Sequence, residues 1–258
     1  ELEGHIGSVY ARRAGRSEAV CAAIEEQYLP DSAGGPLPAT PAGKLVAAAD
    51  KIDTLRVSFG LGHRPTGSRD PYALRRAAIG LCRLADEGRV AVTRAILGDD
   101  VREFVEERLE GVVGIPVEFV RAARAMDWPG ITIGDIATVA RALYAVDGAT
   151  RTRIREVYLR ADRIVAEFTD AGPFDAALFE YDAEREVAAA LAAKPAAFLG
   201  YDRAMGWTAS LAAPLETFFV DVLVMSPDEA LKTNRLRLLR TVRDEIRSSM
   251  GDLSQLSG

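Results

Sequence analysis

The chain has 258 residues, 27% charged and 48% apolar, which is enough for one large or two modest domains and excludes a disordered or fibrous polypeptide. Its net charge of −6 argues against a nonspecific nucleic-acid coat, although a local basic face would suffice to grip RNA. Two cysteines, Cys21 and Cys82, give neither a disulfide framework nor a metal spacing, so they read as buried free thiols of a reducing, cytoplasmic compartment.

Few aromatics, abundant Ala and scarce β-branched alternation predict an all-α fold. No stretch is long and apolar enough to span a bilayer and no signal peptide is expected, so no membrane partner is expected either. The start Glu1-Leu2-Glu3-Gly4, without Met, reads as entry into a C-terminal piece of a longer polypeptide.

Helices are expected over residues 2–13 and 17–28, around Gly15. A Pro/Gly loop follows from Pro30 to Pro38. Thr40-Pro41 opens a long helix by the cap-plus-proline rule, with Ala48, Ile52, Leu55 and Phe59 as its apolar stripe and Gly60-Leu61-Gly62 as its stop. The run Pro65 to Ala78 then combines a turn, a helix start and several arginines. Asp70 stands as the expected N-cap, with Pro71 at the first helical position of a helix to about residue 86. Leu74, Ala77, Ala78, Leu81, Cys82 and Ala85 form its apolar side, and the seven-residue spacing of Arg69, Arg76 and Arg83 puts them on another. Such a stripe either clamps phosphates or is a solvated charged face.

A short helix is expected near 90–97, then helices over about 99–110 and 116–126. Thr132 with Asp135 resembles a capping box opening a helix to about 146. Asp147-Gly148 is the best domain boundary. Beyond it, helices are expected over about 150–168, 174–192 and 196–212, with a short one in the apolar run Leu215 to Val224. Ser226-Pro227-Asp228-Glu229 reads as an N-terminal signature with Ser226 as cap. The last helix, about 227–249, turns Leu231, Leu238, Val242 and Ile246 inward and gathers Arg237, Arg240 and Arg247 on another side.

Catalytic patterns are wanting. The chain has two histidines, His5 and His63, and no His-Asp dipeptide, whereas a metal-dependent phosphohydrolase of the HD type needs several His and Asp ligands. Gly60-Leu61-Gly62 lacks the third glycine of a dinucleotide fingerprint and follows a helix. Around Gly43-Lys44, Pro38 and Leu45 stand where a phosphate-binding loop needs Gly and Ser/Thr. No Gly-x-Ser-x-Gly elbow is present, and Glu25-Glu26 and Glu106-Glu107 read as solvated faces. No catalytic residue and no metal ligand is assigned.

Four segments resemble the β subunit of bacterial heterotetrameric glycyl-tRNA synthetase. They are Glu1-Leu2-Glu3-Gly4 through Tyr10-Ala11, Ala48-Ala49-Asp50-Lys51-Ile52-Asp53-Thr54-Leu55, the run Pro65 to Ala78, and Asn234-Arg235-Leu236 within Asp228 to Leu239. Glu3 and His5 depart from the commoner residues of the first. The resemblance implies the C-terminal part of an HD-like helical domain over 1–97, a helical linker bundle over 98–147, and an α-helical anticodon-binding domain over 148–258, similar to that of arginyl-tRNA synthetase. It implies a tRNA-binding part of a glycine–tRNA ligase. The partners would be glycine tRNA and the α subunit, in an α2β2 assembly or an α–β fusion, with no DNA partner. ATP with Mg would be used by the α subunit, so no cofactor is expected in this chain.

On that resemblance, Lys232, Asn234, Arg235, Arg237 and Arg240 are the first candidates for tRNA contact, and Arg160 and Arg163 the second. Arg64, Arg69, Arg75 and Arg76 are expected to touch the tRNA body or to clamp the HD-like domain to the linker, with Asp50 and Asp53 holding them. For each, the alternative is an ordinary surface arginine paired with a carboxylate. Two other readings stay open: a free-standing HD-type hydrolase, and a helical interaction module without an RNA role.

Overall fold

A computed structural model describes residues 2–195 and 201–257, with the side chains of residues 201–203 outside the description. Every regular element among the described residues is a helix, with only isolated bridges at Thr66–Arg69 and Thr93–Thr132 and no sheet among them. They form two compact units. The first holds residues 2–116 and Pro129–Thr138, and the second Val117–Trp128 and 139–257. The stretch 98–147 is thus apportioned between the two units.

In the first unit, α1 (His5–Arg13) packs on α2 (Glu18–Glu26), and α2 on α3 (Pro41–Gly60). The Glu26 carboxylate ties the loop after α2 to the next helix. It accepts from the backbone N–H of Ala39 at 3.0 Å and from the Thr40 hydroxyl at 2.6 Å. That hydroxyl accepts in turn from Gly43 N–H at 3.0 Å, so the expected Thr40 cap is present and anchored from behind. The expected α3 stripe also holds, with Ala48 and Leu55 buried and Ile52 and Phe59 half-buried.

The next helix, α4 (Leu74–Asp86), is the centre of this unit and packs on α3 and on α6 (Asp99–Val112). Leu74, Ala78, Leu81, Cys82, Leu84 and Ala85 are all buried. Gly80 makes room for the Lys51 side chain of α3, whose Cε would lie 2.8 Å from a Cβ there. The helix begins three residues later than expected, at Leu74, behind Ala73 with a φ of 53°. Asp70 still caps it, because its carboxylate accepts from Leu74 N–H at 2.8 Å and Arg75 N–H at 3.0 Å. The expected short helix is α5 (Arg94–Leu97). The Thr132–Asp135 capping box is reciprocal at 3.1 and 2.8 Å, opening α8 (Ile133–Ala145).

In the second unit, which also holds α7 (Val117–Arg124), α9 (Gly148–Ile164) starts under an Asp147 cap and packs on α13 (Glu229–Met250). The helix expected over 174–192 is shorter, a 3-10 turn at Ala176–Leu178 followed by α10 (Asp182–Ala192). The start of the helix expected at 196–212 falls on residues 196–200, outside the described residues, and α11 runs Tyr201–Ser210. The apolar run is helical in its first half, α12 (Ala212–Asp221). Asp228, not Ser226, caps α13, because its carboxylate accepts from Ala230 N–H at 2.8 Å and Leu231 N–H at 3.1 Å. Leu238, Val242 and Ile246 are buried, and Leu231 is half-buried.

The end of α13 shows a close backbone approach. Gly251 has a φ of 91°, and a Cβ there would lie 1.9 Å from the Ala122 carbonyl oxygen. Gly251→Ala is expected to cost at least ~2 kcal/mol by overpacking and positive-φ strain together. Gly111→Ala, on the open side of α6, should stabilise by about 0.5–1 kcal/mol. Urea midpoints of the two variants check this, and equal midpoints would refute it.

Candidate functional site

The arginines after α3 do not form a helix face. Arg69 lies in the turn before α4, where Thr66 and Arg69 exchange backbone hydrogen bonds at 3.1 and 2.8 Å. Arg83 is bound to Glu87 at 2.8 Å and to the Gly35 carbonyl at 2.6 Å. Arg75 donates to the Gly67 carbonyl at 2.7 Å, which ties the turn to the start of α4. Arg64 pairs with Asp100 and lies over the Phe59 ring, 5.2 Å from its centroid. Arg69 and Arg76 are exposed, and no hydrogen bond or ion pair reaches either side chain among the described residues. His63 is exposed and its ring sits 4.9 Å from that of Tyr72. Contrary to expectation, neither Asp50 nor Asp53 bonds to any of these arginines among the described residues. Both residues are exposed.

The α13 candidates divide sharply. Arg235 is 3% exposed. Its guanidinium donates to Glu184 at 3.0 Å, to Glu180 at 2.8 Å and to the Leu223 carbonyl at 3.1 Å. Burial works against its charge, but the two glutamates outweigh that and hold it firmly protonated. The second Glu184 oxygen accepts from the N–H groups of Glu180 and Tyr181 at 2.8 and 2.9 Å, so one carboxylate serves both α13 and the start of α10. Asn234, 2% exposed, accepts from Asp175 N–H at 2.7 Å and donates to its carbonyl at 3.0 Å. These two residues are internal struts.

The remaining candidates sit at the surface. Arg237 pairs with Asp170 at 2.7 Å, and Arg240 with Asp244 at 3.4 Å. Each keeps one buried guanidinium nitrogen without a hydrogen-bond partner, Arg237 Nε and Arg240 Nη1. Lys232 pairs with Glu229 at 3.2 Å. Arg160 donates to the Phe219 carbonyl at 3.3 Å and stands over that ring at 4.3 Å. Arg163 is exposed and bonds to the Leu159 carbonyl of its own helix at 3.3 Å.

Two residues escaped the sequence reading, and both carried a signal. Lys51 lies one turn from Ala48 and Leu55 and shares their buried register. Glu184 lies beside Ala183 and Val187, on the buried side of α10. A charged residue in an apolar register marks a buried ion or a polar anchor.

Among the described residues, no group of three His, Cys, Asp or Glu side chains is placed to hold a metal ion, and no helix is long and apolar enough to cross a membrane. Cys82 is buried, donates to the Val105 carbonyl at 3.3 Å, and has its thiol pushed far up by burial, so it carries no nucleophilic chemistry.

The described residues place these cations on a helical scaffold, and comparison with known proteins shows what the chain resembles. Residues 1–125 match the family model described as glycyl-tRNA synthetase beta subunit. The chain is 34% identical to the glycine–tRNA ligase beta subunit of Methylobacillus flagellatus, covering 100% of the chain and 40% of that relative. It is 34% identical to that of Chromohalobacter salexigens over 99% of the chain and 41% of the relative. For Pseudomonas aeruginosa the figures are 35%, 94% and 40%. The chain is therefore a relative of the glycyl-tRNA synthetase β subunits along its length, and it spans about two-fifths of the length of these relatives.

Arg235→Ala leaves Glu184 buried without its cation and is expected to cost about 3–5 kcal/mol. Arg163→Ala should stay within about 0.5 kcal/mol of the wild type. Thermal and urea unfolding compare the two, and a mild Arg235→Ala would remove the strut assignment.

The Asp170 carboxyl is held below its usual range by the Arg237 bond and the Gly172 N–H, and the Glu216 carboxyl by Arg153. Their folded values lie below the unfolded ones, so their contribution is complete above the unfolded pKa of about 4 and is lost as pH falls through the folded values. The urea midpoint is expected to hold flat down to about pH 5 and to drop below about pH 4. Asp170→Asn should soften that drop, and an unchanged profile would refute its part.

Proposed function

We propose that this chain is the tRNA-binding part of a glycine–tRNA ligase β subunit, supporting ATP-dependent attachment of glycine to its tRNA. The observation that carries the reading is the likeness to β subunits over the whole chain, including residues 126–257, beyond the reach of the family model. The partners are glycine tRNA and the α subunit, which holds the adenylation site and uses ATP with Mg. The compartment is the cytoplasm.

The mechanism is positional. Residues after 148 take the anticodon, with Lys232, Arg237, Arg240, Arg160 and Arg163 as the surface cations nearest the task, while Asn234 and Arg235 hold the helices that present them. In the first unit, Arg69 and Arg76 meet backbone phosphates, and Arg64 and Arg75 keep their turn in shape. Phosphate contacts set register, and base contacts read sequence. Binding energy gained far from the reacting atoms orients the acceptor end in the α-subunit site.

Binding of the chain to glycine tRNA at two salt concentrations tests this, beside the same tRNA with its two anticodon cytosines changed. Affinity should fall steeply with salt, by roughly one unit of log–log slope per phosphate contacted. The altered anticodon should cost about 1–3 kcal/mol for each base. Equal binding to both tRNAs refutes anticodon reading, and binding to neither refutes the RNA role and favours a scaffold for the α subunit.

A further inference from the structure

The first unit holds a cleft of about 330 Å³ beside the loop after α2, lined by residues of α3 and by the start of α4. It joins residues from the three family-like segments of this unit, Glu3 from the first and others from 48–55 and 65–78. Lys51 forms its floor at 5% exposure. The ammonium donates to the carbonyls of Tyr28 and Leu29 at 3.3 and 2.9 Å, which leaves one of its three protons free.

Arg76 lines the same cleft, exposed and without an ion pair among the described residues. The two cations are near enough to oppose each other's charge. Asp50 more than offsets this at Lys51 and Asp31 adds to it, yet no carboxylate is bonded to either cation. The Arg76 guanidinium fork and the remaining Lys51 proton stay unfilled, and a phosphate accepts from a fork and an ammonium together.

The rest of the lining narrows the ligand. Tyr28 and Tyr72 are half-exposed and offer aromatic surface for a planar ring. Glu3, Asp31 and Asp50 are acceptors, which repel a bare anion but suit the amino group of a base. The volume is at the small end for ligand clefts and fits one nucleotide rather than a dinucleotide.

We propose that this cleft binds a single phosphorylated nucleotide, free or as the end of an RNA chain. Its phosphate sits on Arg76 and Lys51, its base lies against a tyrosine, and its amino group faces Asp31 or Asp50.

The test is calorimetric titration of the chain with each common ribonucleoside 5′-monophosphate, with the matching nucleoside and with inorganic phosphate. It is repeated on Arg76→Ala and Tyr72→Ala. Both side chains are exposed, so an unchanged melting temperature certifies the fold.

At least one monophosphate is expected to saturate the chain, with its nucleoside and inorganic phosphate each about tenfold weaker or more. Each variant should lose about tenfold in affinity. A trinucleotide ending in the same nucleotide separates the sources. Equal or tighter binding assigns the cleft to an RNA end, and loss assigns it to the free nucleotide. No saturation by any monophosphate or trinucleotide overturns the proposal, as does binding that Arg76→Ala leaves unaltered. No tRNA enters the titration, so its outcome is independent of the anticodon experiment.

Discussion

A guanidinium with almost no access to water has to be surrounded by oxygen, and the second unit is organised by how Arg235 meets that demand. Its donors reach Glu184 and Glu180 and the Leu223 carbonyl. Those partners belong to α10, to the segment leading into it and to the loop between α12 and α13. Moving any of them strands a buried charge, which costs several kcal/mol. Asn234, next along α13, pins the Asp175 backbone in the same way with neutral hydrogen bonds. The helix that would present cations to a nucleic acid is thus fixed first by the two polar residues it turns inward.

That internal use decides which cations remain to meet a phosphate. Exchanging Glu229 for a phosphate at Lys232 gives up a surface ion pair worth about 0–1 kcal/mol. Pulling Arg235 from Glu184 would leave a buried carboxylate alone, at about 3–5 kcal/mol. Surface pairs are therefore no barrier to RNA contact, whereas buried ones are. A chain of net charge −6 can still grip RNA when its cations lie in shallow pairs that a phosphate can replace.

Much of the helical order was legible because its signals are local. Thr40-Pro41 and Thr132 with Asp135 act through groups within one turn, and both cap as the sequence predicts. The misplaced boundaries came where a turn interrupted the helix or two local signals competed. Asp70 caps from outside a helix that starts only at Leu74, since Ala73 takes a left-handed φ of 53° in a turn closed by its N–H on the Asp70 carbonyl at 3.1 Å. At 226–229 two good caps compete, and Asp228 holds the N–H groups while Ser226 accepts from Asp228 N–H at 3.2 Å. Spacing alone placed Arg69 on the same face as Arg76, but a spacing rule holds only inside a helix, and Arg69 lies outside one. Asn234 and Arg235 were expected at the tRNA, and the structure turns both inward; sequence does not tell a cation that faces water from one that faces two distant glutamates.

Lys51 and Arg235 are both buried cations, yet they set up opposite fields. Arg235 is met by two carboxylates, so its surroundings carry no excess positive charge to offer an incoming anion. Lys51 is met at hydrogen-bond distance by carbonyls only, which are neutral, and Arg76 adds a second positive charge to the same cleft. Neutral acceptors satisfy the donors of a buried ammonium without cancelling its charge. Arg76 and the third Lys51 proton are what the cleft offers a phosphate, beside the Glu3, Asp31 and Asp50 carboxylates that suit a ligand also carrying an amino group. Phosphate recognition in the first unit, as proposed, thus rests on unfilled donors at a defined cleft. In the second unit the buried cation serves the fold, and contact with phosphate falls to the cations at its surface.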